Sequence, residues 1–277
     1  MKHKHLIAID LDGTLLTDDK KIAAPSKLMI KRLMDEGHIV VIATGRSNQM
    51  SILYYNELEL VTPLINSNGA YLHHPRNKSW GKYHTPLEHK TAIEIVKACY
   101  ELNSNNVLAT VYDHIYLDQF DENIVNFYGP NKQKEAFIIG RLIEKLTENP
   151  TLMMLYPNKN EVQTLTDHLN DLHAEVVDHW NWGAPYHIIE VMNKRMNKAE
   201  AVKKIAEEYG IPKERIIAFG DGPNDLDLID YAGVGVAMEN AIDELKSVAN
   251  FITETNEQHG VASFLANYFE IPHPVKS

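Results

Sequence analysis

Short, nearly continuous apolar runs constrain the fold of this chain more than any other feature of its sequence. They occur at residues 5–9 and 39–43 near the start, and at 215–219 and 234–237 near the end. Such runs are typical of strands that are buried on both faces of a parallel sheet. Helical patterns lie between them, as after Pro25, where apolar residues recur on one side. Strands that alternate with helices in this way predict βαβ units around a parallel sheet.

The middle of the chain, residues 83–189, has a different pattern. Residues 107–117 alternate like one half-exposed strand, whereas residues 138–146 carry a helical pattern. Helices mixed with half-exposed strands favour a separate α+β module with an antiparallel sheet. We therefore predict a discontinuous α/β core, residues 1–82 and 190–277, that is interrupted by an inserted α+β domain at 83–189.

The charge balance restricts the partners of the protein. Its 277 residues include 27 Lys and Arg against 38 Asp and Glu, which gives a formal net charge of −11. An acidic chain without a basic run repels phosphate backbones and anionic lipid surfaces, so we expect no nucleic-acid and no membrane partner. The acidity has two interpretations, a solvated acidic surface or carboxylates gathered around a divalent cation.

The single cysteine, Cys99, bears on the compartment. One cysteine excludes an intrachain disulfide and a cysteine-based zinc site, which fits a reducing environment. The sequence also lacks an apolar stretch that is long enough to span a bilayer. We expect a cytoplasmic protein, and the sequence leaves its oligomeric state open.

Polar and acidic side chains gather where three of the predicted core strands end. Asp10 and Asp12 follow the first strand, and the segments 44–46 and 221–225 follow two others. Ligands of open parallel sheets bind beyond the carboxyl ends of the strands, so these side chains are expected to meet if the strands are neighbours. Crowded carboxylates disfavour joint ionisation unless a cation lies among them, and an all-oxygen ligand set favours Mg²⁺. Each segment alone also suits an ordinary turn, so the prediction depends on their combination.

This combination is similar to the four motifs of the haloacid dehalogenase (HAD) superfamily. The matching segments are Asp10-Leu11-Asp12-Gly13-Thr14, Thr44-Gly45-Arg46, Lys198 and Gly220-Asp221-Gly222-Pro223-Asn224-Asp225. The chain most resembles the Cof-type phosphatases, which carry a large type IIB α/β cap, because two further segments match that subgroup: Asn68-Gly69-Ala70 and Gly260-Val261-Ala262. The likeness covers both ends of the chain, whereas the middle matches only in length, position and α/β texture. It implies a HAD-like Rossmannoid core with a parallel sheet and an inserted type IIB cap domain.

Two positions beside the lysine depart from the family pattern. The family's lysine usually lies in a Gly-x-x-Lys-Gly context, whereas this chain has Arg195-Met196-Asn197-Lys198-Ala199. The positive charge is kept, but both glycines are replaced, which leaves the local backbone and the placement of Lys198 less determined.

The resemblance assigns a role to each matching residue. It implies that Asp10 is the nucleophile that forms an aspartyl-phosphate, and that Asp12 is the general acid and base. Asp221 would hold Mg²⁺ together with Asp10 and the backbone carbonyl of Asp12, and Asp225 would be a further ligand or an anchor. The implied phosphate-binding residues are Leu11, Thr44, Gly45, Arg46, Lys198 and Asn224. For Arg46, contact with the substrate or cap and a structural salt bridge are equally plausible.

We therefore expect a Mg²⁺-dependent phosphohydrolase that acts on small phosphorylated metabolites, such as sugar phosphates or phosphorylated cofactors. The core would perform the chemistry and the cap would select the substrate. Two alternatives use the same site: a phosphomutase with the same intermediate, and a catalytically silent phosphate-binding regulator, against which the intact Asp10, Asp12, Lys198 and Asp221 argue. A nucleotide-binding Rossmann protein is disfavoured, because no Gly-x-Gly-x-x-Gly follows the first strand.

Two tryptophans near the end of the insertion, Trp180 and Trp182, have two interpretations. They could stack on a sugar or ring of the substrate, or they could pack at the edge of the cap. Packing is the more frequent role of aromatic residues.

Overall fold

The chain forms two compact units, each with its own sheet. The computed structural model describes residues 3–128, 137–181, 183, 187–195 and 197–273. The first unit, here called the core, comprises Met1–Ser47, Ser51–Tyr83 and Asn197–Ser277, and the second, here called the insert, comprises Asn48–Met50 and His84–Met196. Across the described residues, no helix has both the length and the apolar character that crossing a membrane requires.

Both units contain strands and helices. The strands are β1 (Leu6–Ile9), β2 (Ile39–Ile42), β3 (Leu64–Asn66), β4 (Tyr71–His73), β5 (Lys82–His84), β6 (Asn106–Val111), β7 (His114–Leu117), β8 (Phe137–Ile139), β9 (Leu152–Tyr156), β10 (Val177–Asn181), β11 (Ile189–Asn193), β12 (Ile216–Gly220), β13 (Val234–Met238) and β14 (Phe251–Thr253). The helices are α1 (Ala24–Asp35), α2 (Asn48–Glu57), α3 (His89–Glu101), α4 (Glu122–Phe127), α5 (Leu142–Lys145), α6 (Val162–His173), α7 (Lys198–Glu208), α8 (Leu226–Tyr231), α9 (Asp243–Val248) and α10 (Gly260–Tyr268).

The main sheet of the core is parallel, which confirms the predicted α/β class. Its strand order is β14-β13-β12-β1-β2, and every one of these neighbouring pairs is parallel. All four residues of β1 are buried, as expected for a strand that is covered on both faces. In the register of the sheet, Ile9 lies opposite both Phe219 and Ile42. The carboxyl ends of β1, β2 and β12 therefore meet at one edge, and the loops that follow them converge there.

The insert has a largely antiparallel sheet, in the order β10-β11-β9-β6-β7-β8. Its described pairings are antiparallel, except that β7 and β8 are parallel. One face is covered by apolar side chains of α3 and α6, and the other by those of α4. Because both faces are covered, every residue of β6 is buried.

Two expectations for the middle of the chain were wrong. Residues 107–117 form not one half-exposed strand but the hairpin of β6 and β7, which reverses at Tyr112, a residue with a φ of 52°. The segment 138–146 is not one helix, because the chain turns at Gly140 between β8 and the short helix α5. The turn at Tyr112 contains no glycine, whereas the turn at Gly140 does contain this signal, which the apolar spacing of the flanking residues outweighed in the sequence-based prediction.

The insert sheet extends beyond residue 189, where we placed the end of the insertion. Strand β11 pairs antiparallel with both β9 and β10, so Ile189–Asn193 lies in the sheet of the insert. The apolar composition of β11 is close to that of a core strand, which explains why the sequence does not mark the boundary between insert and core. Trp180 packs against the apolar cluster on the α4 face of this sheet, and Trp182 lies outside the described residues.

Candidate active site

A buried lysine links two carboxylates at the edge of the core sheet where the carboxyl ends of β1, β2 and β12 meet. Asp10 follows β1 and is 5% exposed, and Lys198, the first residue of α7, is fully buried. The Nζ atom of Lys198 lies 2.6 Å from Oδ1 of Asp10 and 2.7 Å from Oδ1 of Asp225. Burial raises the pKa of Asp10 well above its usual range, and the neighbouring carboxylates Asp225 and Asp221 add to this, while Lys198 opposes it. The pKa of Lys198 is raised, because the two carboxylates outweigh the effect of burial.

The replaced glycines around Lys198 do not remove it from the site. Asn197 caps α7, and its side-chain oxygen accepts a hydrogen bond from the backbone N–H of Glu200 at 2.9 Å. The helix therefore begins at Lys198 and directs its side chain to Asp10 without glycines at 195 and 199.

Asp225 is engaged on both of its oxygens. Oδ1 accepts from Lys198, and Oδ2 accepts from the backbone N–H groups of Asp221 and Gly222, both at 3.1 Å. The residue is fully buried. Asp225 therefore holds the loop after β12 in place and orients the ammonium group of Lys198.

Asp221 follows β12 and is only partly buried. Its Oδ1 accepts a hydrogen bond from the hydroxyl of Thr14 at 3.0 Å. Burial, together with the nearby Asp225, raises the pKa of Asp221 to about 6. Its carboxylate is thus near negative charge, and a cation at this place would stabilise its ionised form.

The three carboxylates have a geometry that suits a metal ion. Asp10, Asp221 and Asp225 each offer an oxygen, and these oxygens all lie within 4.8 Å of one another. Burial is the main cause of the raised pKa values of Asp10 and Asp221, and the neighbouring carboxylates add to it, so a cation among these oxygens would favour their ionised forms. A donor set made only of oxygens fits Mg²⁺, which prefers hard ligands.

Asp12 lies in a second cluster of charges. The Arg46 guanidinium binds it in a bidentate manner, with Nε 2.6 Å from Oδ2 and Nη2 2.7 Å from Oδ1, and Lys20 Nζ lies 2.9 Å from Oδ1. Burial opposes the ionisation of Asp12, but the two cations outweigh it and lower its pKa to about 2. Of the two alternatives for Arg46, the structure shows the salt bridge, and its partner is a predicted site residue. Lys20 was not among the predicted residues, because a lysine in a polar loop carries no distinguishing signal.

The predicted phosphate-binding residues lie on the same edge. Thr44 is buried, and its hydroxyl accepts from the backbone N–H of Arg46 at 3.1 Å. Asn224 Nδ2 donates to Oδ1 of Asn68 at 2.8 Å. A Cβ atom built on Gly45 would lie 3.5 Å from Asn224 Nδ2, so the backbone there passes close to this pair. The side chain of Leu11 is fully buried, which leaves only its backbone to face a ligand.

Asn68 also lies at this edge and, like Lys20, was not among the predicted site residues. Its segment was noted only for its likeness to a subgroup, and an Asn-Gly pair is a common turn signal. Only the structure shows that its side chain contacts Asn224.

We predict that Asp225 stabilises the folded protein, whereas Asp221 is needed for activity and not for stability. Asp225→Asn should lower the free energy of unfolding by about 1–3 kcal/mol, because an amide NH₂ would face either Lys198 or two backbone donors. Asp221→Asn should leave stability unchanged or higher, since it relieves crowded negative charge, but it should lower activity strongly. Urea unfolding of both variants checks this. Because both lose one charge from the same loop, equal loss of stability would contradict separate roles.

The sequence and the fold both have known relatives. The sequence profile of the haloacid dehalogenase-like hydrolases matches residues 7–265. A 5-amino-6-(5-phospho-D-ribitylamino)uracil phosphatase of Bacillus subtilis is 46% identical over 267 residues, which is 96% of this chain and 98% of the relative. A second Bacillus subtilis phosphatase of the same name is 31% identical over 280 residues, covering 94% of this chain and 96% of the relative. A sugar phosphatase of HAD subclass IIB has the same fold, with a TM-score of 0.80 at 20% identity over 97% of this chain and all of that one.

Proposed function

The chain belongs to the haloacid dehalogenase-like hydrolase family, and on that premise we propose that it is a Mg²⁺-dependent phosphatase that hydrolyses 5-amino-6-(5-phospho-D-ribitylamino)uracil through a phosphorylated Asp10. It is a phosphoric monoester hydrolase of the Cof type, as its family and its phosphatase relatives show. Three features remain proposals: the substrate, the metal ion and the phosphorylated intermediate. The phosphomutase alternative gains no support, since both of these relatives are phosphatases.

The main support for this reaction is the position of the fully buried Lys198, which lies between Asp10 and Asp225, next to Asp221. A buried carboxylate that is held by an ammonium group is pre-oriented for attack on a phosphorus atom. The same ammonium group would stabilise the negative charge that spreads over the phosphoryl oxygens. Thr44, Gly45 and Asn224 would donate hydrogen bonds to those oxygens.

The proposed reaction has two steps. In the first, an oxygen of Asp10 bonds to phosphorus as the bond to the ester oxygen breaks, and Asp12 gives its proton to the departing alkoxide. In the second, water attacks the phosphorus atom, Asp12 takes the proton of the water, and the carboxylate of Asp10 is released with inorganic phosphate. General acid–base assistance of this kind contributes about 10²–10⁴-fold.

The pairing of Asp12 restricts both steps. With Arg46 and Lys20 bound to it, Asp12 is ionised, which is its form before it takes the proton of the water. To carry a proton, as the donor in the first step or as the acceptor in the second, it must give up at least part of these contacts. We therefore infer that the arrangement described here is the ionised state of Asp12, and that its contacts with Arg46 and Lys20 loosen during each step.

The metal fits this account. Asp10, Asp221 and the backbone carbonyl of Asp12 would hold Mg²⁺, while Asp225, which is engaged by Lys198 and two backbone donors, would act as their anchor. When bound, Mg²⁺ would supply positive charge that offsets carboxylate repulsion and the charge of the transferring group.

We predict that EDTA abolishes phosphate release and that added Mg²⁺ restores it, with Ca²⁺ restoring much less. Ca²⁺ is larger and prefers more ligands at longer distances, so it would hold the nucleophile and phosphate in poorer geometry. Phosphate release from p-nitrophenyl phosphate checks this, with a melting curve in EDTA as the control for folding. Full activity after exhaustive chelation would contradict the metal role of Asp221.

The substrate is tested by comparing esters that share the phosphoryl group. We expect kcat/KM for 5-amino-6-(5-phospho-D-ribitylamino)uracil to exceed that for a pentose phosphate and for p-nitrophenyl phosphate by at least about tenfold, because remote binding energy lowers the barrier only for a substrate with the remote part. Equal values for the three esters would overturn the proposed substrate but not the phosphatase chemistry.

A further inference from the structure

A buried turn with a left-handed backbone lies beside the proposed phosphate site. Ser67, Asn68 and Gly69 connect β3 to β4 with φ values of 47°, 51° and 99°. Ser67 and Asn68 are both almost fully buried. Successive left-handed residues other than glycine are costly and persist only where the surroundings hold them. A simple reversal between two strands does not require a buried asparagine, so the side chain needs its own explanation.

The backbone of this turn is fastened to the loop after β2. The N–H of Asn68 donates to the carbonyl of Thr44, and the N–H of Ser67 donates to the carbonyl of Arg46, both at 3.1 Å. The side-chain amide of Asn66 donates to that same carbonyl of Arg46, also at 3.1 Å. The turn and the loop 44–46 therefore form one connected backbone structure.

The side chain of Asn68 reaches two proposed phosphate ligands at once. Its Oδ1 accepts a hydrogen bond from Asn224 Nδ2 at 2.8 Å, and it would lie 3.0 Å from a Cβ atom built on Gly45. Any side chain at Gly45 would thus press on the carboxamide of Asn68. An amide NH₂ has two donors in one plane, so a bond to one of them fixes the direction of the other.

The turn also approaches the segment that carries the catalytic lysine. A Cβ atom on Gly69 would lie only 2.2 Å from the backbone carbonyl of Asn197, the residue before Lys198. No side chain fits there, and the left-handed φ of Gly69 also favours glycine. One turn is therefore in contact with the loops that carry Gly45, Asn224 and Lys198.

We propose that Asn68 is a positioning residue for phosphoryl transfer. By accepting one N–H of Asn224, it directs the second N–H toward the phosphate, and by packing against Gly45 it fixes the backbone N–H of that residue. This inference rests on the proposed function, because Gly45 and Asn224 are phosphate ligands only within it.

The test is a double-mutant cycle on the full-length protein. Asn68→Gly removes the carboxamide but suits the left-handed backbone, so its melting temperature should match that of the wild type. We expect it to lower kcat/KM for p-nitrophenyl phosphate by about 10- to 100-fold, the range expected for a small misplacement of catalytic groups. Because Asn68 acts through Asn224, the same change in an Asn224→Ala background should cost less than about threefold. Asn103→Gly is the matched control, since Asn103 has a φ of 50° in the insert and should leave activity unchanged.

The affinity for inorganic phosphate, measured by calorimetry on the four proteins of the double-mutant cycle, separates this inference from the proposed function. If the wild type releases no phosphate from any ester, the proposed function fails, and the phosphate affinities alone decide the role of Asn68. Wild-type kcat/KM and phosphate affinity in Asn68→Gly would overturn the inference. It would also be overturned if the losses from Asn68→Gly and Asn224→Ala simply multiplied in the double variant.

Discussion

Asp10→Asn is expected to abolish phosphate release and to leave the fold intact. An amide is a poor nucleophile, and loss of a catalytic nucleophile costs about 10⁴-fold or more in kcat. The fold should persist because burial, together with the neighbouring Asp225 and Asp221, raises the pKa of Asp10, so a neutral side chain of the same shape is tolerated there. The measurements are phosphate release with added Mg²⁺ and melting curves in EDTA.

The control for this variant is Asp35→Asn, which removes an exposed carboxylate from the end of α1 in the same unit. It should retain wild-type activity and stability. If Asp10→Asn released phosphate at the wild-type rate, Asp10 would not be the nucleophile, and the proposed role of the buried lysine beside it would lose its basis.

Lys198→Met should lower both the rate of phosphate release and the free energy of unfolding. The substitution leaves Asp10 and Asp225 facing each other in a buried place without their shared cation. Removing one partner of a buried ion pair costs about 3–5 kcal/mol, because an uncompensated charge stays behind. Activity should fall for every phosphate ester alike, since all of them present the same phosphoryl group.

Two further variants test whether the lost ion pairs of Lys198 are the cause of the lower stability. Lys203→Met removes an exposed lysine from the same helix and should change neither stability nor activity. Adding Asp225→Asn to Lys198→Met should recover part of the stability, because one of the two unpaired carboxylates becomes neutral. Unchanged urea unfolding of Lys198→Met would contradict the account of this ion pair.

The core and most of its site could be predicted because the information is local. Each buried strand is a short apolar run, and the loop after it carries Asp10, Thr44 or Asp221 directly. Once β1, β2 and β12 are neighbours in a parallel sheet, the loops must meet at one edge. No side-chain geometry is needed for that step.

The contacts that could not be predicted are made by residues whose local sequence pattern carries no signal. Lys20 contacts Asp12 from an exposed loop, and Asn68 contacts Asn224 across 156 positions of the chain. Nothing in the local pattern distinguishes these residues from an ordinary surface lysine or a turn asparagine. In the insert, the hairpin at Tyr112 was missed because its strands are covered on both faces and the turn lacks glycine.

The most direct test of Asp10 as the nucleophile is to trap the phosphoryl group on the protein. Enzyme in excess over phosphate ester is mixed with Mg²⁺, quenched in acid within the first turnover, and digested, and the phosphorylated peptide is identified by mass spectrometry. We expect a phosphoryl group on Asp10 that forms before inorganic phosphate appears, and that is absent from Asp10→Asn. A phosphoryl group on any other residue would contradict it, and so would inorganic phosphate that appears at every quench time without a phosphorylated protein before it.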